Sequence, residues 1–467
     1  ALMIQVRNPR TGQPDYRFEP PTDAALAARC AELRQAQPAW WQAGMEHRIA
    51  VLRRWADAIE AHQEAITAAL AIDTGRTAIA AGEVRSASRN IRRWCSYGPT
   101  LIATPVHESG LMPGLRYSHQ LVPYPLVGAI SPWNFPVALS LIDSVPALLA
   151  GCAVFVKPSE VTPRFVEPLR RALADVPELA RVFAIEAGDG RTGAALIGQV
   201  DAVCFTGSVA TGRKVAVAAA ERFIPAFLEL GGKDPAIILP SANLEDAADA
   251  ILRAAVVASG QVCLALERAY VHESQHDAFV DLLVGKARRV QLNYPDINQG
   301  DLGPLIFDRQ ADIIDGHLDD AVAKGAVIRC GGKSENLGGG RYCRATVVTN
   351  VNHAMKLMTE ETFGPVIPVM SYRTVDEAIA LANDTEFGLS AAVFAGTLDE
   401  ARAVGERINA GGLSLNDAAL TRETYEAEKN SFGYSGMGGS RMGAAGLLRF
   451  YRKKALLMQT GKPAALV

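Results

Sequence analysis

The sequence predicts an α/β fold with two α/β units and a small additional β element. In both halves of the chain, short and wholly apolar runs alternate with helical segments. This alternation is typical of parallel strands that are covered by helices on both faces. Two further strand-like segments fit neither half. The length of 467 residues suits two or three domains, each able to bury a full core.

A helical region is expected to precede the first sheet. From Thr22 to about Ser96, apolar residues recur at helical spacing and form a stripe that includes Ile49, Leu52 and Trp55. Such a stripe normally packs against other elements of the fold. The region therefore predicts a helical cover.

Two series of apolar runs predict two sheets. The first series is LVGAI (126–130), AVFV (153–156), VFAI (182–185), AVCF (202–205) and AFLEL (226–230). A second α/β unit begins near Gly231, where Asn243 is suited to cap a helix with acidic residues in its first turn. The second series is AVIRC (326–330), RATVVT (344–349), VIPVM (366–370) and AAVF (391–394).

The two remaining segments are also strand-like. Residues 115–126 have the pattern of part of a hairpin, and residues 448–459 form a tail after a glycine-rich stretch. A strand that ends a chain can pair at the edge of a sheet. We expect the tail to pair with another subunit.

Composition argues against several classes of function. The formal net charge is −3, and Lys and Arg are spread along the chain, so no nucleic-acid partner is expected. The seven cysteines include no C-x-x-C pair, which favours a reducing, cytoplasmic compartment over a disulfide framework or a zinc ribbon. No apolar run reaches about 18 residues, and charged residues interrupt the first 30 positions. We therefore expect a soluble chain without a membrane span or secretory leader.

Three residues suggest chemistry mainly in combination. Cys263 lies in GQVC, a glycine-containing loop in which a thiolate would be accessible, although a buried structural cysteine explains it better alone. Glu229 ends a predicted strand at the sheet edge where ligands bind, although a solvated loop glutamate is the more usual explanation. Asn134 lies in the turn SPWNFP between two prolines, where an ordinary turn asparagine is expected.

A competing motif suggests a metal site. The string HESQH, from His272 to His276, matches the H-E-x-x-H zinc signature, which needs both histidines on one face of a helix. Here RAYVHE predicts a strand, and Ser274 has the features of a helix cap. The two rings are then not expected to converge, and no metal site is expected.

Six strings together resemble the aldehyde dehydrogenase superfamily in their order and spacing. They are SPWNFP, VKPSE, FTGSVATG, LELGGK, GQVC and ETFGPV, and the resemblance extends from about Asn8 to the C-terminus. It implies two Rossmann-like α/β domains and a small β element for bridging or oligomerisation. The cofactor-binding domain would span 1–114 and 127–230, the catalytic domain 231–420, and the bridging strands 115–126 and 445–467. A homodimer or homotetramer is implied.

The resemblance also assigns roles to residues. Cys263 would attack the aldehyde carbonyl, Asn134 and the Cys263 backbone N–H would hold the oxyanion, and Glu229 would activate the hydrolytic water. NAD is the expected cofactor because Glu160 near the ribose 2′-position favours a hydroxyl, while Arg164 nearby keeps NADP as the alternative. The implied cofactor-binding set is Ile130, Pro132, Trp133, Lys157, Ser159, Glu160, Gly190, Phe205, Gly207, Ser208, Thr211, Gly231, Glu361 and Phe363.

The chain departs from the superfamily pattern at two positions. Many members carry a lysine where this chain has Asp143 and a glutamate where it has Met442. In those members the two residues form a proton route to the general base. Their joint absence suggests that Glu229 exchanges protons by another path, such as bulk water.

An aromatic or medium-chain apolar aldehyde is the expected substrate, because apolar residues flank the candidate catalysts. Core positions are an equal explanation for several of these residues. Arg422 and Lys429 keep a carboxylate-bearing semialdehyde as an alternative, and a hydrolase that uses Cys263 on esters or thioesters is another. The expected substrate-binding set is Ala138, Leu139, Ile142, Val262, Leu264 and Phe432.

Overall fold

The computed structural model describes residues 2–466. The chain begins with a hairpin of β1 (Ile4–Arg7) and β2 (Pro14–Phe18), and four helices then form the helical cover that the sequence predicts. Thr22 caps the first helix by accepting a hydrogen bond from the Ala25 N–H. The helices are α1 (Asp23–Gln42), α2 (Met45–Ala61), α3 (Gln63–Thr74) and α4 (Ala78–Tyr97).

The first sheet contains all five strands that the first series of apolar runs predicts. After the short β3 (His107–Glu108) and the longer β4 (Leu115–Pro123), these strands are β5 (Leu126–Ile130), β6 (Ala153–Lys157), β7 (Phe183–Ile185), β8 (Ala202–Thr206) and β9 (Ala226–Glu229). They are all parallel and lie in the order β9-β8-β5-β6-β7. The intervening helices are α5 (Pro136–Leu141), α6 (Ser144–Ala150), α7 (Val166–Ala174), α8 (Pro177–Ala180), α9 (Gly190–Ile197) and α10 (Val209–Glu221).

The second unit contains a seven-stranded sheet. The strands of this unit are β10 (Asp234–Ile238), β11 (Leu266–His272), β12 (Val327–Cys330), β13 (Glu335–Leu337), β14 (Gly340–Tyr342), β15 (Thr346–Thr349), β16 (Val366–Tyr372), β17 (Phe387–Gly388), β18 (Ser390–Phe394) and β19 (Gly412–Leu415). Of these, β13, β14 and β17 lie outside the seven-stranded sheet. The sheet order is β12-β15-β16-β11-β10-β18-β19, and only the β12–β15 pair is antiparallel. Asn243 caps the next helix, as predicted. The helices are α11 (Leu244–Val256), α12 (His276–Ala287), α13 (Asp308–Ala323), α14 (Lys356–Thr359), α15 (Val375–Asn383), α16 (Leu398–Gly405) and α17 (Leu420–Glu423).

The C-terminal part returns to the first unit. It contains β20 (Phe432–Gly433), β21 (Gly436–Met437), α18 (Ala445–Leu448) and β22 (Tyr451–Gln459). Strand β21 pairs antiparallel with β9, and β22 pairs with β4 along nine residues. Residues 115–126 are confirmed as part of a hairpin, because β4 pairs antiparallel with the preceding β3. The tail pairs with β4 in its own chain, and its other edge is open, so pairing with another subunit stays a prediction.

Apolar packing divides between the two units. One core joins the helical cover to the first sheet and includes the fully buried Trp55 and Phe155. Two further cores cover the two faces of the second sheet. Residues 2–466 contain no helix with the length and apolar character that a bilayer crossing requires. The fold is thus a mixed α/β architecture, as predicted, and the domain boundaries given above stay a prediction.

Candidate active site

A cavity of about 420 Å³ lies where the carboxyl edge of the first sheet faces the second unit. Its wall is mainly apolar and contains all three candidate catalytic residues, Cys263, Glu229 and Asn134. The other lining residues are Ile79, Gly82, Glu83, Ser86, Phe135, Ala138, Leu139, Ile142, Thr206, Leu230, Val262, Leu264, Leu389, Thr421, Arg422, Tyr425, Lys429, Arg441 and Met442.

The loop that carries Cys263 has a constrained backbone. Ala258, Ser259 and Gly260 have positive φ angles of 54°, 57° and 74°. At Gly260 a Cβ atom would lie 2.1 Å from the Gly364 carbonyl carbon, so only glycine fits there. Strained backbone of this kind persists where surrounding contacts fix it, and it is concentrated at functional sites. The loop presents the partly exposed Cys263 side chain to the cavity.

Asn134 is buried directly after β5. Its side-chain nitrogen Nδ2 donates to the Gln261 carbonyl at 3.0 Å, two residues before Cys263. Gln261 is itself fixed, because its Oε1 accepts from the Ile306 N–H at 2.9 Å and its Nε2 donates to the Ala258 carbonyl at 2.9 Å. An amide nitrogen carries two hydrogens, so one of them remains to donate to an oxygen in the cavity.

Glu229 is the last residue of β9. Its Oε2 accepts from the Ser431 hydroxyl at 3.0 Å, and its backbone pairs with Gly436 of β21. The residue is half-buried and lines the cavity. A carboxylate in this position can accept a proton from water in the cavity.

The electrostatic surroundings favour a protonated Cys263. Burial and the Glu361 carboxylate raise the pKa of the thiol to about 12, while the Arg441 guanidinium acts in the opposite direction. Burial and the negative charge of Glu267 raise the pKa of Glu361 to about 8. At neutral pH, Cys263 must therefore transfer its proton to a base, or gain a nearby positive charge, before it becomes a nucleophile.

Asp143 takes part in a buried cluster of charges beside the cavity. Its carboxylate accepts from Arg441 at 2.7 and 3.2 Å and from Arg449 at 2.6 Å. Burial alone would raise the pKa of Asp143, but the two guanidinium groups outweigh it and lower that pKa. Arg441 also donates to the Thr206 hydroxyl at 2.7 Å, and Thr206 is the strand neighbour of Glu229. A cation thus lies beside the candidate base.

The order of the strands indicates a nucleotide site at the same edge. It reverses at β5, with β6 and β7 on one side and β8 and β9 on the other. Ligands of parallel sheets bind at the carboxyl ends of the strands around such a point. Helix α10 begins there, and Ser208 caps it by accepting from the Thr211 N–H at 3.3 Å. The N-terminal N–H groups of this helix suit a pyrophosphate.

The predicted cofactor residues converge on this edge from both units. The rings of Trp133 and Phe363 meet edge to face at 5.5 Å, and a Cβ atom at Gly231 would lie 2.5 Å from the Glu361 carboxylate. Strands β5, β6 and β8 contain Ile130, Lys157 and Phe205, respectively. The residues that follow these three strands are Pro132, Trp133, Ser159, Glu160, Gly207 and Ser208. The others lie at the start of α9 (Gly190), in the first turn of α10 (Thr211), after β9 (Gly231) and before β16 (Glu361 and Phe363).

Lys157, the last residue of β6, and the nearby Glu160 lie at this edge. Lys157 is buried, and its Nζ donates to the Gly188 carbonyl at 2.6 Å and lies 4.0 Å from the Glu160 carboxylate. Arg164 points elsewhere, because its Nε donates to the buried Asp73 at 2.6 Å and its Nη2 pairs with Asp15. Arg164 is therefore not available to a ribose phosphate.

Five of the six expected substrate-binding residues line the cavity: Ala138, Leu139, Ile142, Val262 and Leu264. Phe432 does not, because its strand β20 pairs with β17 and leaves its side chain exposed. Two charged residues of the wall, Glu83 and Arg441, are not among the residues predicted from sequence. A buried glutamate on the apolar face of α4 was the available signal for Glu83, whereas the contacts of Arg441 span more than 200 residues and leave no local pattern.

The zinc motif does not form a site. His272 ends β11 and His276 begins α12, so the two residues do not share a helical face. The helix begins after Gln275, so the expectation that Ser274 caps it is wrong; the Ser274 N–H instead donates to the His272 ring. Residues 2–466 contain no group of three or more His, Cys, Asp or Glu side chains that could hold a metal ion.

Comparison with known proteins agrees with this geometry. A model described as the aldehyde dehydrogenase family matches residues 2–456. A relative from Mycolicibacterium smegmatis, provisionally named succinate-semialdehyde dehydrogenase [NADP(+)], is 36% identical over 431 residues, which are 91% of this chain and 83% of the relative.

Solved structures give the same result. The structure of a provisionally named aldehyde dehydrogenase, PutA from Anabaena variabilis, is 57% identical, covers 100% of this chain and 99% of its own, and has a TM-score of 0.98. Lactaldehyde dehydrogenase from Escherichia coli is 30% identical, with coverage of 98% and 96% and a TM-score of 0.93. With a family model that spans nearly the whole chain and with relatives of this similarity, the chain belongs to the aldehyde dehydrogenase family.

Proposed function

We propose that this oxidoreductase converts an aldehyde into the carboxylic acid through a thioester on Cys263, with NAD(P) as the hydride acceptor. The observation that carries the proposal is the convergence of Cys263, Glu229 and Asn134 on one cavity beside a strand-order reversal. Nucleophile, oxyanion donor and general base are the three groups that this chemistry needs.

In the first half-reaction, the Cys263 thiol releases its proton to water in the cavity, and the thiolate sulfur attacks the aldehyde carbon. A carbon–sulfur bond forms, and the carbonyl electron pair moves to oxygen. The remaining Asn134 amide hydrogen and the Cys263 backbone N–H stabilise that oxyanion, and loss of one such donor typically costs about 10² to 10³ in rate. When bound, NAD(P) supplies the acceptor for the hydride and a positive charge near the thiol. Loss of the hydride leaves the thioester on Cys263.

In the second half-reaction, Glu229 accepts a proton from a water molecule that attacks the thioester carbon. The carbon–sulfur bond breaks, the carboxylic acid leaves, and Cys263 is regenerated. General-base catalysis of this kind contributes roughly 10² to 10⁴ in rate. The half-buried carboxylate of Glu229, open to the cavity, is suited to this role.

The substrate class that best fits the wall is an aromatic or medium-chain apolar aldehyde. Leu139, Ile142, Val262 and Leu264 form an apolar surface close to Cys263. Burial of an apolar chain against such a surface contributes about 25 cal/mol for each Å² that leaves water. No charge on the substrate is needed for this part of the binding.

A carboxylate-bearing semialdehyde is the second candidate. Arg422 and Lys429 both line the cavity, and either cation can pair with a carboxylate. The name of the Mycolicibacterium smegmatis relative, a succinate-semialdehyde dehydrogenase, agrees with this candidate. The two candidates differ in one measurable quantity, the preference between a charged and an uncharged aldehyde.

For the cofactor, we propose NAD before NADP. The Glu160 carboxylate beside the buried Lys157 favours a ribose hydroxyl over a phosphate, and Arg164 is held by Asp73 and Asp15. The NADP in the name of the relative supports the alternative. A comparison of kcat/KM with the two cofactors distinguishes them.

The deciding experiment is NAD(P)H formation across benzaldehyde, hexanal and succinic semialdehyde, with and without coenzyme A. The wild type should form NAD(P)H without coenzyme A, and Cys263→Ala should not. Hydrolysis of an ester or thioester without cofactor, with no NAD(P)H formed from the aldehydes, would indicate a hydrolase, and dependence on coenzyme A would indicate acyl transfer. A clear preference for succinic semialdehyde would reject the apolar substrate class.

A further inference from the structure

We propose that Arg76 and Glu83 are positioning residues that hold the Asn134 amide in place for oxyanion binding. The proposal rests on the proposed function, because it gives these residues a role only through Asn134. Both side chains are buried, and both belong to the helical cover rather than to either sheet.

Arg76 holds the backbone of Asn134 from one side. It lies in the connection between α3 and α4, and its Nη2 donates to the Asn134 carbonyl at 2.5 Å. Its guanidinium carbon lies 4.8 Å from the centre of the Phe135 ring, which fixes the next residue as well. A hydrogen bond from a charged donor is stronger than a neutral one, so this contact restrains the turn effectively.

Glu83 holds the start of the helix that follows Asn134. Helix α5 begins after Phe135, whose side chain has no oxygen with which to cap it. The Glu83 Oε2 accepts from the backbone N–H groups of Val137 and Ala138, at 2.7 and 2.9 Å. A residue of α4 thus provides the cap that the local sequence lacks, and the first turn of α5 is fixed to α4.

The third constraint comes from the nucleophile loop. The Asn134 Nδ2 donates to the Gln261 carbonyl, so the side chain is held at one end and its backbone at the other. Because both ends of the residue are held, the second hydrogen on Nδ2 can point in only a narrow range of directions. Displacement of a catalytic group by about 1 Å can cost on the order of 10² in rate. Loss of the Arg76 contact should therefore weaken oxyanion binding, although Arg76 itself does not reach the reacting atoms.

A double-mutant cycle tests this role, with kcat/KM as the measured quantity. Arg76→Ala should lower kcat/KM about 10-fold to 100-fold in the wild-type background, less than the roughly 10² to 10³ expected for loss of an oxyanion donor. In an Asn134→Ala background the same change should alter kcat/KM by no more than about 2-fold, because residues that act through one group are not additive. Losses that multiply across the two backgrounds would overturn the proposal.

Two comparisons separate positioning from general destabilisation. Arg48 is a matched control, since it is buried in the same helical cover and donates to the carbonyls of Leu149 and Trp41 at 2.8 and 2.7 Å. Arg48→Ala should lower the unfolding temperature without lowering kcat. Glu83→Gln retains an oxygen for both N–H groups and should keep kcat/KM within about 3-fold, whereas Glu83→Met should lower it about 10-fold or more.

A variant that fails to fold, or one that keeps full activity, also gives a clear answer. If Arg76→Ala does not fold, Arg76→Lys replaces it in the cycle, because lysine keeps the charge but not the planar contact with Phe135. Full activity of Asn134→Ala, or of Arg76→Ala, would reject the positioning role. An inactive wild type, or an active Cys263→Ala, would instead reject the proposed function.

Discussion

The Cys263 thiol determines the pH behaviour of the free enzyme. Because burial and Glu361 raise its pKa to about 12, the thiolate fraction should increase about tenfold for each pH unit between 7 and 10. The rate of Cys263 alkylation by iodoacetamide, followed by mass spectrometry in the absence of cofactor, should therefore keep rising to pH 10. Cys263→Ala controls for the other cysteines. A plateau near pH 8 would contradict the raised pKa.

Glu229→Gln separates the two half-reactions. The amide cannot accept a proton, so the thioester should form but hydrolyse slowly. We expect a burst of NADH close to the enzyme concentration, followed by steady-state turnover reduced by about 10² to 10⁴. Rapid-quench or stopped-flow absorbance measures both phases. Steady-state turnover equal to that of the wild type would remove Glu229 from the role of general base.

The segment around α17 is the element that should decide substrate charge. It places Arg422 and Lys429 in the cavity wall, and Lys429 is nearly fully buried. If a substrate carboxylate pairs with Lys429, Lys429→Met should raise KM for succinic semialdehyde about 10-fold or more, with little change for hexanal. Steady-state kinetics with both aldehydes provides the test and its internal control. Equal effects on the two substrates would exclude a carboxylate contact.

Strands with continuous apolar side chains were predictable from sequence, whereas polar strands were not. The nine runs all correspond to strands. Strands such as β6, β8 and β18 are buried throughout and so show no polar alternation, whereas β12 is a partly exposed edge strand. Strand β10 was not predicted, because it begins with Asp234 and Pro235. Strand β19 was not predicted either, because glycine and serine interrupt its sequence GLSL. Strand β11 contains a buried charge, Glu267, which is tolerated because its carboxylate lies 2.8 Å from the Lys233 Nζ.

In the candidate site, too, only residues with a recognisable local sequence could be predicted. Cys263, Glu229 and Asn134 could be predicted because each lies in a local string with a recognisable context. Arg76 and Arg441 could not, because their contacts join residues separated by 58 and 298 positions. Only the folded chain reveals such partners. The family resemblance identified the strings that contain these three residues. It could not explain why Asp143 replaces the lysine of many members, because the two arginines that pair with Asp143, Arg441 and Arg449, are distant in sequence.

At the scale of the whole molecule, β22 predicts assembly. It forms one edge of the three-stranded sheet β22-β4-β3, and its Leu456 and Leu457 side chains are exposed. An open strand edge with apolar side chains is normally covered by a partner. We therefore expect a homodimer or homotetramer by light scattering, and Leu457→Glu should shift it towards smaller species. A monomeric wild type would contradict this expectation.

The buried Arg441–Asp143 pair has a consequence for how products leave. Although burial alone would lower it, the pKa of Arg441 is raised by Asp143, so this guanidinium keeps its proton throughout the catalytic cycle. Arg441 therefore cannot relay a proton from Glu229, and we expect the proton released by hydrolysis to leave through water in the cavity. An acyl chain that displaces this water should then slow the release of that proton. Turnover would thus depend on the shape of the bound acid as well as on the reactivity of the aldehyde.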